Sequence, residues 1–443
     1  MTSSQEPDPQ VAVGRLPGSR AEKSWSNELE RGRVPGPRSV HHTTVPSDVG
    51  TGTVCVHAGT YVDPVTRSVS TPIFQTSTYG LSEASYQAFT QGTTRDVPIY
   101  TRYGSPSQWA VQEKIATLEG AESAVACASG MAAIYATLMA LTNRGGHIVS
   151  AFDVYGGSYA FLNEDAHQRG RSVTFVDPTD LDQIAAAIRP ETQVLFFEAL
   201  TNPLIKAVPL PQIGALARRE NLLLVVDSTF LTPIACRPLE YGADIVIHSA
   251  TKYLNGHSDL MAGVAAGSRK YIDRIWAQLL KTGGHLEPFS CFLLERGLKT
   301  LRVRFEAACR TAEGLVQHLH AHPEVVAVHH PAAPGYQYSY LAEYSKYGGA
   351  VLSFEVAGGD ERAVEFLGKL RICAVATSLG GVESLVSMPF NTSHSVLTTS
   401  QRQRMGINPG LIRFSVGLED LDDLVTDIYQ ALAATRRSSC ETA

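Results

Sequence analysis

No run of this sequence stays apolar for the ~20 residues that a membrane-crossing helix needs, so no membrane partner is expected. Basic charge is not in excess either. The 37 Lys and Arg are outnumbered by 43 Asp and Glu, the formal net charge is −6, and the cations are scattered. That balance argues against a polyanion-binding surface and against a nucleic-acid partner. Cysteine is sparse and unpatterned: Cys55, Cys127, Cys236, Cys291, Cys309, Cys373 and Cys440 include no C-x-x-C pair. An odd, dispersed set reads as reduced thiols in a cytoplasmic protein rather than a disulfide framework, and no metal site is expected. Residues 1–48 lack apolar periodicity and a hydrophobic leader core, and Glu6, Asp8, Glu22, Glu28 and Glu30 speak against a transit peptide. Rich in Pro, Ser, Gly and charge, that stretch reads as a flexible tail.

What is present is a globular composition, 44% hydrophobic and 18% charged over 443 residues, enough for a large core and more than one domain. From about Ala110, short apolar runs alternate with helical periodicity. "SAVACA", "HIVSAF", "SVTFVD", "QVLFFEAL", "LLLVVDSTF" and "ADIVIHSA" read as strands, with "GMAAIYATLMAL", "LDQIAAAIR" and "LPQIGALARRE" as helices among them. Strands apolar on both faces imply an α/β fold with a mostly parallel central sheet and helices on both faces. After about Phe305 the pattern changes to a smaller α+β domain: helix "EAACRTAEGLVQHLHAH", strand "GAVLSFEVAG", helix "DERAVEFLGKL", strand "LIRFSVGLE" and a closing helix. No internal repeat is visible.

Chemistry concentrates in "IVIHSATKYLNGHSDLMAG", where a buried strand ends and Ser249, Thr251, Lys252, Asn255, His257, Ser258 and Asp259 follow at once. A desolvated lysine at the mouth of a sheet can serve as a nucleophilic amine and hold an aldehyde as a Schiff base. The aldehyde cofactor that fits is pyridoxal 5'-phosphate, PLP. Its ring nitrogen calls for a buried carboxylate, and Asp227 closes "LLLVVD" 25 residues earlier. Its phosphate calls for backbone N–H groups at a helix start. "CASGMAAI" offers these, with Ser129 as N-cap and Gly130 permitting close approach, and Ser249 and Thr251 can add hydroxyls. A solvated strand-end lysine, a turn-forming Asp and a plain helix cap account for each feature taken singly.

Together these parts resemble the Cys/Met-metabolism family of PLP enzymes, which includes cystathionine γ-synthases and γ-lyases, methionine γ-lyases and acyl-homoserine sulfhydrylases. The resemblance spans roughly residues 51–436 and implies an aspartate-aminotransferase-like (type I) fold. "SATKYLNGHSD" is similar to the cofactor-lysine signature, with Lys252 as the Schiff-base residue. "YTRYGSPS" resembles a Tyr-x-Arg motif, so Tyr100 and Arg102 are expected to reach the cofactor phosphate of a neighbouring subunit. Ser105 departs there from the usual Asn. "ASGMAAI" implies Gly130 and Met131 as phosphate donors. "DVYGGSY" implies Tyr155 stacked on the ring and assisting proton transfer, "TNP" implies Asn202 at the phenolic oxygen, and "VVDSTF" implies Asp227 at the ring nitrogen. "LIRFSVGLED" implies Arg413 on the substrate α-carboxylate, with Ser378 of "TSLGGVESL" beside it. On the same footing, the expected organisation is a tail over 1–48, an arm over 49–105 serving a neighbour's site, a PLP-binding domain over 106–304, and a C-terminal domain over 305–443. The assembly expected is a homotetramer, a dimer of dimers with shared active sites.

The resemblance implies chemistry on a small-molecule amino-acid substrate derived from homoserine or homocysteine. Lys252 moves protons at Cα and Cβ, a vinylglycine-type intermediate forms as the γ-substituent leaves, and either γ-replacement or γ-elimination follows. Replacement, as in a cystathionine γ-synthase, is the first expectation, with a cystathionine or methionine γ-lyase or an acyl-homoserine sulfhydrylase as alternatives. Gly157 stands where methionine γ-lyases typically carry Cys, and Glu383 resembles the acidic residue of cystathionine enzymes. Ala160, where those enzymes commonly have Arg, and the apolar Met388 and Phe390 mark either neutral drift or an unusual γ-substituent. Two other classes fit the residues less well. A dinucleotide-binding oxidoreductase would want a G-x-G-x-x-G spacing that "ASGMAAI" lacks, and a non-catalytic PLP-binding protein would show no turnover.

Overall fold

The computed structural model describes residues 42–392 and 398–436. Most of the expected tail and Cys440 lie outside these residues. Within the stretch expected as tail, Thr43 already exchanges backbone hydrogen bonds with Thr60 and Gly59, at 2.9 Å each, so ordered chain begins before residue 49.

Seven strands form the central sheet: β1 (Ser123–Cys127), β2 (His147–Ala151), β3 (Ser172–Val176), β4 (Thr192–Glu198), β5 (Leu223–Asp227), β6 (Ile245–His248) and β7 (Gly263–Gly267). Their spatial order is β1-β7-β6-β5-β4-β2-β3, and all are parallel except β7, which runs antiparallel to both of its neighbours. Alternate residues feed two hydrophobic cores. Phe196, Val225 and Ile247 face the helices Gly130–Leu141 and Arg269–Thr282, while Phe197, Val226 and Val246 join the larger core on the other face. Burial of apolar side chains on both faces is the condition that makes a parallel sheet stable.

Strand β7, "GVAAG", was not among the expected strands because four of its five residues are Gly or Ala, which strands disfavour. Its small residues answer to packing. A Cβ on Gly263 would lie 2.1 Å from the Ser129 carbonyl oxygen, and one on Gly267 would lie 2.4 Å from that of Asp244. The strand therefore lies directly beneath the turn that starts the Gly130–Leu141 helix.

A second sheet of five strands follows, in the order β10 (Ala374–Val375), β11 (Leu385–Ser387), β12 (Leu411–Ser415), β9 (Val351–Val356), β8 (Val325–His329). The helix Leu301–Ala321 spans the expected boundary at 304/305 and packs into the larger core through Phe305, Ala308, Ala312 and Leu315. The two sheets are stitched at one point that matters for the site. The buried Ser353 hydroxyl on β9 donates to the Pro203 carbonyl at 2.7 Å, next to Asn202.

Candidate active site

The C-terminal ends of β4, β5 and β6 open towards the edge of the second sheet, the place where open α/β sheets gather ligands. Lys252 lies in the turns that follow β6. Its Nζ donates to the Ser378 hydroxyl at 2.7 Å. Arg413, on β12 and opposite Ser387 and Ser353, is buried. One guanidinium nitrogen donates to Asn202 Oδ1 at 3.2 Å and the other to the Ser378 carbonyl at 3.0 Å. Ser378 takes φ +149°, a region L-residues rarely enter, and both of its polar contacts hold it there. Two residues on, Gly380 sits with its Cα so near Tyr253 that a Cβ would lie 2.7 Å from the Tyr253 amide nitrogen. The strained loop is thus pressed onto the lysine turn.

Burial, and secondly the Arg413 charge, push the Lys252 amine down to about 8, so near neutrality it loses its proton far more readily than an ordinary lysine. Arg413 itself is pushed down to about 10 by burial and stays cationic.

Asp227 ends β5 with its carboxylate turned by an Asx-type contact. Its Oδ1 accepts from the Thr229 amide at 2.9 Å and from the Thr229 hydroxyl at 2.5 Å. That hydroxyl oxygen in turn accepts from the Ser249 amide at 2.8 Å, which links the Asp227 turn to the lysine segment. The helix Gly130–Leu141 begins here. Ser129 caps it through the Ala132 amide at 3.0 Å, and the first turn leaves the N–H groups of Gly130 and Met131 without intrahelical acceptors. A Cβ on Gly130 would meet the Ser249 Cβ at 2.9 Å, so the helix start, Ser249 and Asp227 form one cradle that glycine alone permits. The Thr251 hydroxyl is engaged locally, donating to the Ala262 carbonyl at 3.1 Å and accepting from the Ala262 amide at 2.9 Å.

Tyr155 caps the short helix Gly156–Ala160, which passes into one turn of π-helix over Phe161–Asp165, a local irregularity common at functional sites. The tyrosine is 44% exposed, and its backbone N–H donates to Glu198 Oε1 at 2.7 Å. A Cβ on Gly157 would lie 2.6 Å from Tyr155 Cε1 and 3.3 Å from Met131 Sδ, which places the ring beside the helix start. Glu383 accepts from the Ser258 hydroxyl. Met388 is buried in the large core. Phe390 lies in a short 3-10 turn under the Arg402 guanidinium, 5.2 Å from the ring centre. Ala160 is part-exposed.

Tyr100 and Arg102 make their contacts elsewhere. Arg102 donates to the Leu280 carbonyl at 2.9 Å and lies over the rings of Tyr100 and Tyr103, and both Tyr100 and Arg102 are exposed. Ser105 caps the helix Pro106–Glu119 through the Gln108 amide at 3.3 Å, a task Ser performs as well as Asn.

Two residues of this region escaped sequence reasoning. Thr229 was readable from the D-x-T spacing of an Asx turn. Glu198, opposite Asp227 in register, had no such signal, because strand pairing is not written in either strand. Among the described residues no group of three His, Cys, Asp or Glu side chains could hold a metal ion.

The profile of the family described as Cys/Met metabolism PLP-dependent enzyme matches residues 52–433. The chain is 38% identical over 387 residues to L-methionine gamma-lyase of Porphyromonas gingivalis, covering 86% of this chain and 97% of that protein. It is 40% identical over 382 residues to cystathionine gamma-lyase of Bacillus subtilis, covering 86% and 98%. The crystal structure of cystathionine gamma-lyase from Lactobacillus plantarum complexed with L-serine superposes with a TM-score of 0.82 at 34% identity, covering 87% of this chain and 99% of that one.

Proposed function

Because the chain belongs to the Cys/Met metabolism PLP-dependent enzyme family, we propose that it removes or replaces the γ-substituent of a homocysteine- or homoserine-derived amino acid. The observation that carries the reading is the Lys252 Nζ to Ser378 Oγ contact beside the buried Arg413. It puts a readily deprotonated amine next to a cation suited to an α-carboxylate.

The residues present fit the cofactor. The Gly130 cradle that a Cβ would fill, with free helix N–H groups, suits a phosphate. Asp227, its Oδ1 already bound by Thr229, suits a protonated ring nitrogen. Asn202 would take the phenolic oxygen and Tyr155 the ring face, while Ser249 lies against the cradle. Thr251 would have to trade its Ala262 contacts to join the phosphate. When bound, PLP supplies the electron sink that takes up charge from Cα.

The chain's own groups do the rest. Arg413 orients the substrate by its carboxylate, and the Ser378 hydroxyl steers the Lys252 amine. That amine, held near 8, removes and returns protons at Cα and Cβ. Glu383 would receive an amino group on the distal part of the substrate, with the Ser258 hydroxyl orienting its carboxylate. Departure from Cγ is common to elimination and replacement. The lyase names of the relatives favour elimination, whereas Gly157 separates this chain from the methionine-specific pattern, since a side chain there would displace the Tyr155 ring.

A neighbouring subunit would complete the site through Tyr100 and Arg102, in a homotetramer of two such dimers. The strongly exposed arm residues Val65 and Val69, at 88% and 90%, and the open face over Tyr155 support this. A cytoplasmic location is in keeping with six buried free thiols, Cys55 to Cys373.

The test offers PLP-loaded protein cystathionine, methionine and O-acetyl-, O-succinyl- and O-phosphohomoserine, each with and without cysteine, with products read by mass spectrometry. Keto acid and ammonia without a nucleophile establish elimination. A thioether formed only with cysteine establishes replacement. Silence on every compound refutes the reading and points to a different substrate.

A further inference from the structure

Glu198, at the end of β4, feels the charges of two further carboxylates, Asp227 and Asp153. Glu198 and Asp227 are direct register partners on adjacent parallel strands. Phe196 and Val225, two residues earlier on each strand, share one core, so both carboxylates project from that same face. Glu198 is 7% exposed and Asp153 is 3% exposed. Lys206 supplies one cation, its Nζ 3.2 Å from Asp153 Oδ2, an ion contact without hydrogen-bond alignment. If PLP is held here as proposed, its ring nitrogen would supply a second cation, to Asp227.

His248, itself paired with Glu119 at 2.6 Å, also faces Asp227, and Asp177 faces Asp153, so acids still crowd a desolvated corner where neighbouring like charges cannot all persist. Hydrogen bonds decide which acid keeps a proton. Asp227 Oδ1 receives two donors from Thr229, both favouring the anion, and Asp153 has Lys206. Glu198 receives only the Tyr155 N–H.

We propose that Glu198 is a positioning residue held as a neutral carboxylic acid, fixing the Tyr155 segment through Oε1 and leaving Asp227 as the sole anion for the ring nitrogen. Burial first, then the Asp227 charge, push the Glu198 carboxyl well above the usual range, in the same direction as the geometry. An ionised Glu198 would drive the proton onto Asp227 and so cost the cofactor its counter-charge.

The inference rests on the chain's membership of a PLP family, and its test does not require a substrate. Glu198→Gln keeps the acceptor and the neutrality, and should hold PLP as tightly as the parent in a fluorescence titration. Glu198→Ala loses the Tyr155 contact and should weaken retention by roughly 10- to 100-fold, the scale of a misplaced site group. In infrared spectra of the loaded proteins at pH 7, the carbonyl stretch of a protonated carboxylic acid should be present in the parent and missing from Glu198→Gln. The proposal is overturned if the Gln variant loses PLP as badly as the Ala variant or fails to fold. It is overturned equally if Ala has no effect, or if the Gln substitution removes no such band. Failure of the γ-chemistry reading would show only in the product assay and would leave these readouts untouched.

Discussion

Lys252→Met in the cofactor-free protein isolates the physical property on which the site depends. Burial and Arg413 lower the amine from its ordinary 10.5 to about 8, which at 1.36 kcal/mol per pH unit corresponds to roughly 3.4 kcal/mol. The side chain is only partly buried, so solvent screening reduces this to about 1.5–2 kcal/mol. The sign follows from linkage. Between pH 8 and 10.5 the unfolded chain holds the proton that the folded protein has given up, so stability rises with pH across that window. Below pH 8 the folded protein carries a desolvated ammonium and the full penalty. Methionine has similar bulk and no charge, so it escapes the penalty but forfeits the 2.7 Å contact to Ser378, about 1 kcal/mol at every pH. The variant should therefore be more stable than the parent by ~0.5–1 kcal/mol at pH 7 and less stable by ~1 kcal/mol at pH 10.5. Urea unfolding followed by circular dichroism, at one protein concentration across pH 7–10.5, measures this crossover. A parent-to-variant difference that does not change with pH would show that the surroundings do not lower the lysine's hold on its proton.

Gly130→Ala puts a methyl 2.9 Å from the Ser249 Cβ, and either the helix start or the lysine segment must shift, at ~1–3 kcal/mol. Fluorescence titration should show PLP affinity falling about tenfold or more for that cost, while unchanged affinity would place the phosphate elsewhere. Arg413→Met removes a charge-assisted fork and should raise KM for any active amino acid by roughly 10- to 100-fold, from about 1.5–3 kcal/mol. It should also lift the Lys252 amine above about 8 in the cofactor-free protein, detectable as slower lysine modification at pH 8. A KM that stays put would move the carboxylate contact to another residue.

The strands of the central sheet were legible because each is apolar on both faces, and the Gly130–Leu141 helix because Ser129 and Gly130 punctuate its start. Strand β7 was not, since Gly263 and Gly267 serve a close approach to Ser129 and Asp244 that local propensity opposes. The helix Leu301–Ala321 crosses an expected boundary for a similar reason. Its first turn is defined by Leu301 and Phe305 packing into the shared core, not by a change in composition. Met388, read as an apolar group at the site, belongs to the core.

Residue types in order along one chain were enough to specify the strand–helix alternation and a lysine at a strand end. They also specified a capped glycine-started helix, an acid closing a strand, and through these the family. Such features are local, because each depends on neighbours within a few positions. What Ser378 and Arg413 do to the Lys252 amine, and how Glu198 comes to face Asp227, depends on residues 126, 161 and 29 positions away in sequence. The long-range contacts arise from sheet register and from the seating of the second sheet on the first, so their distances, and the charge states those distances impose, exist only once the chain has folded.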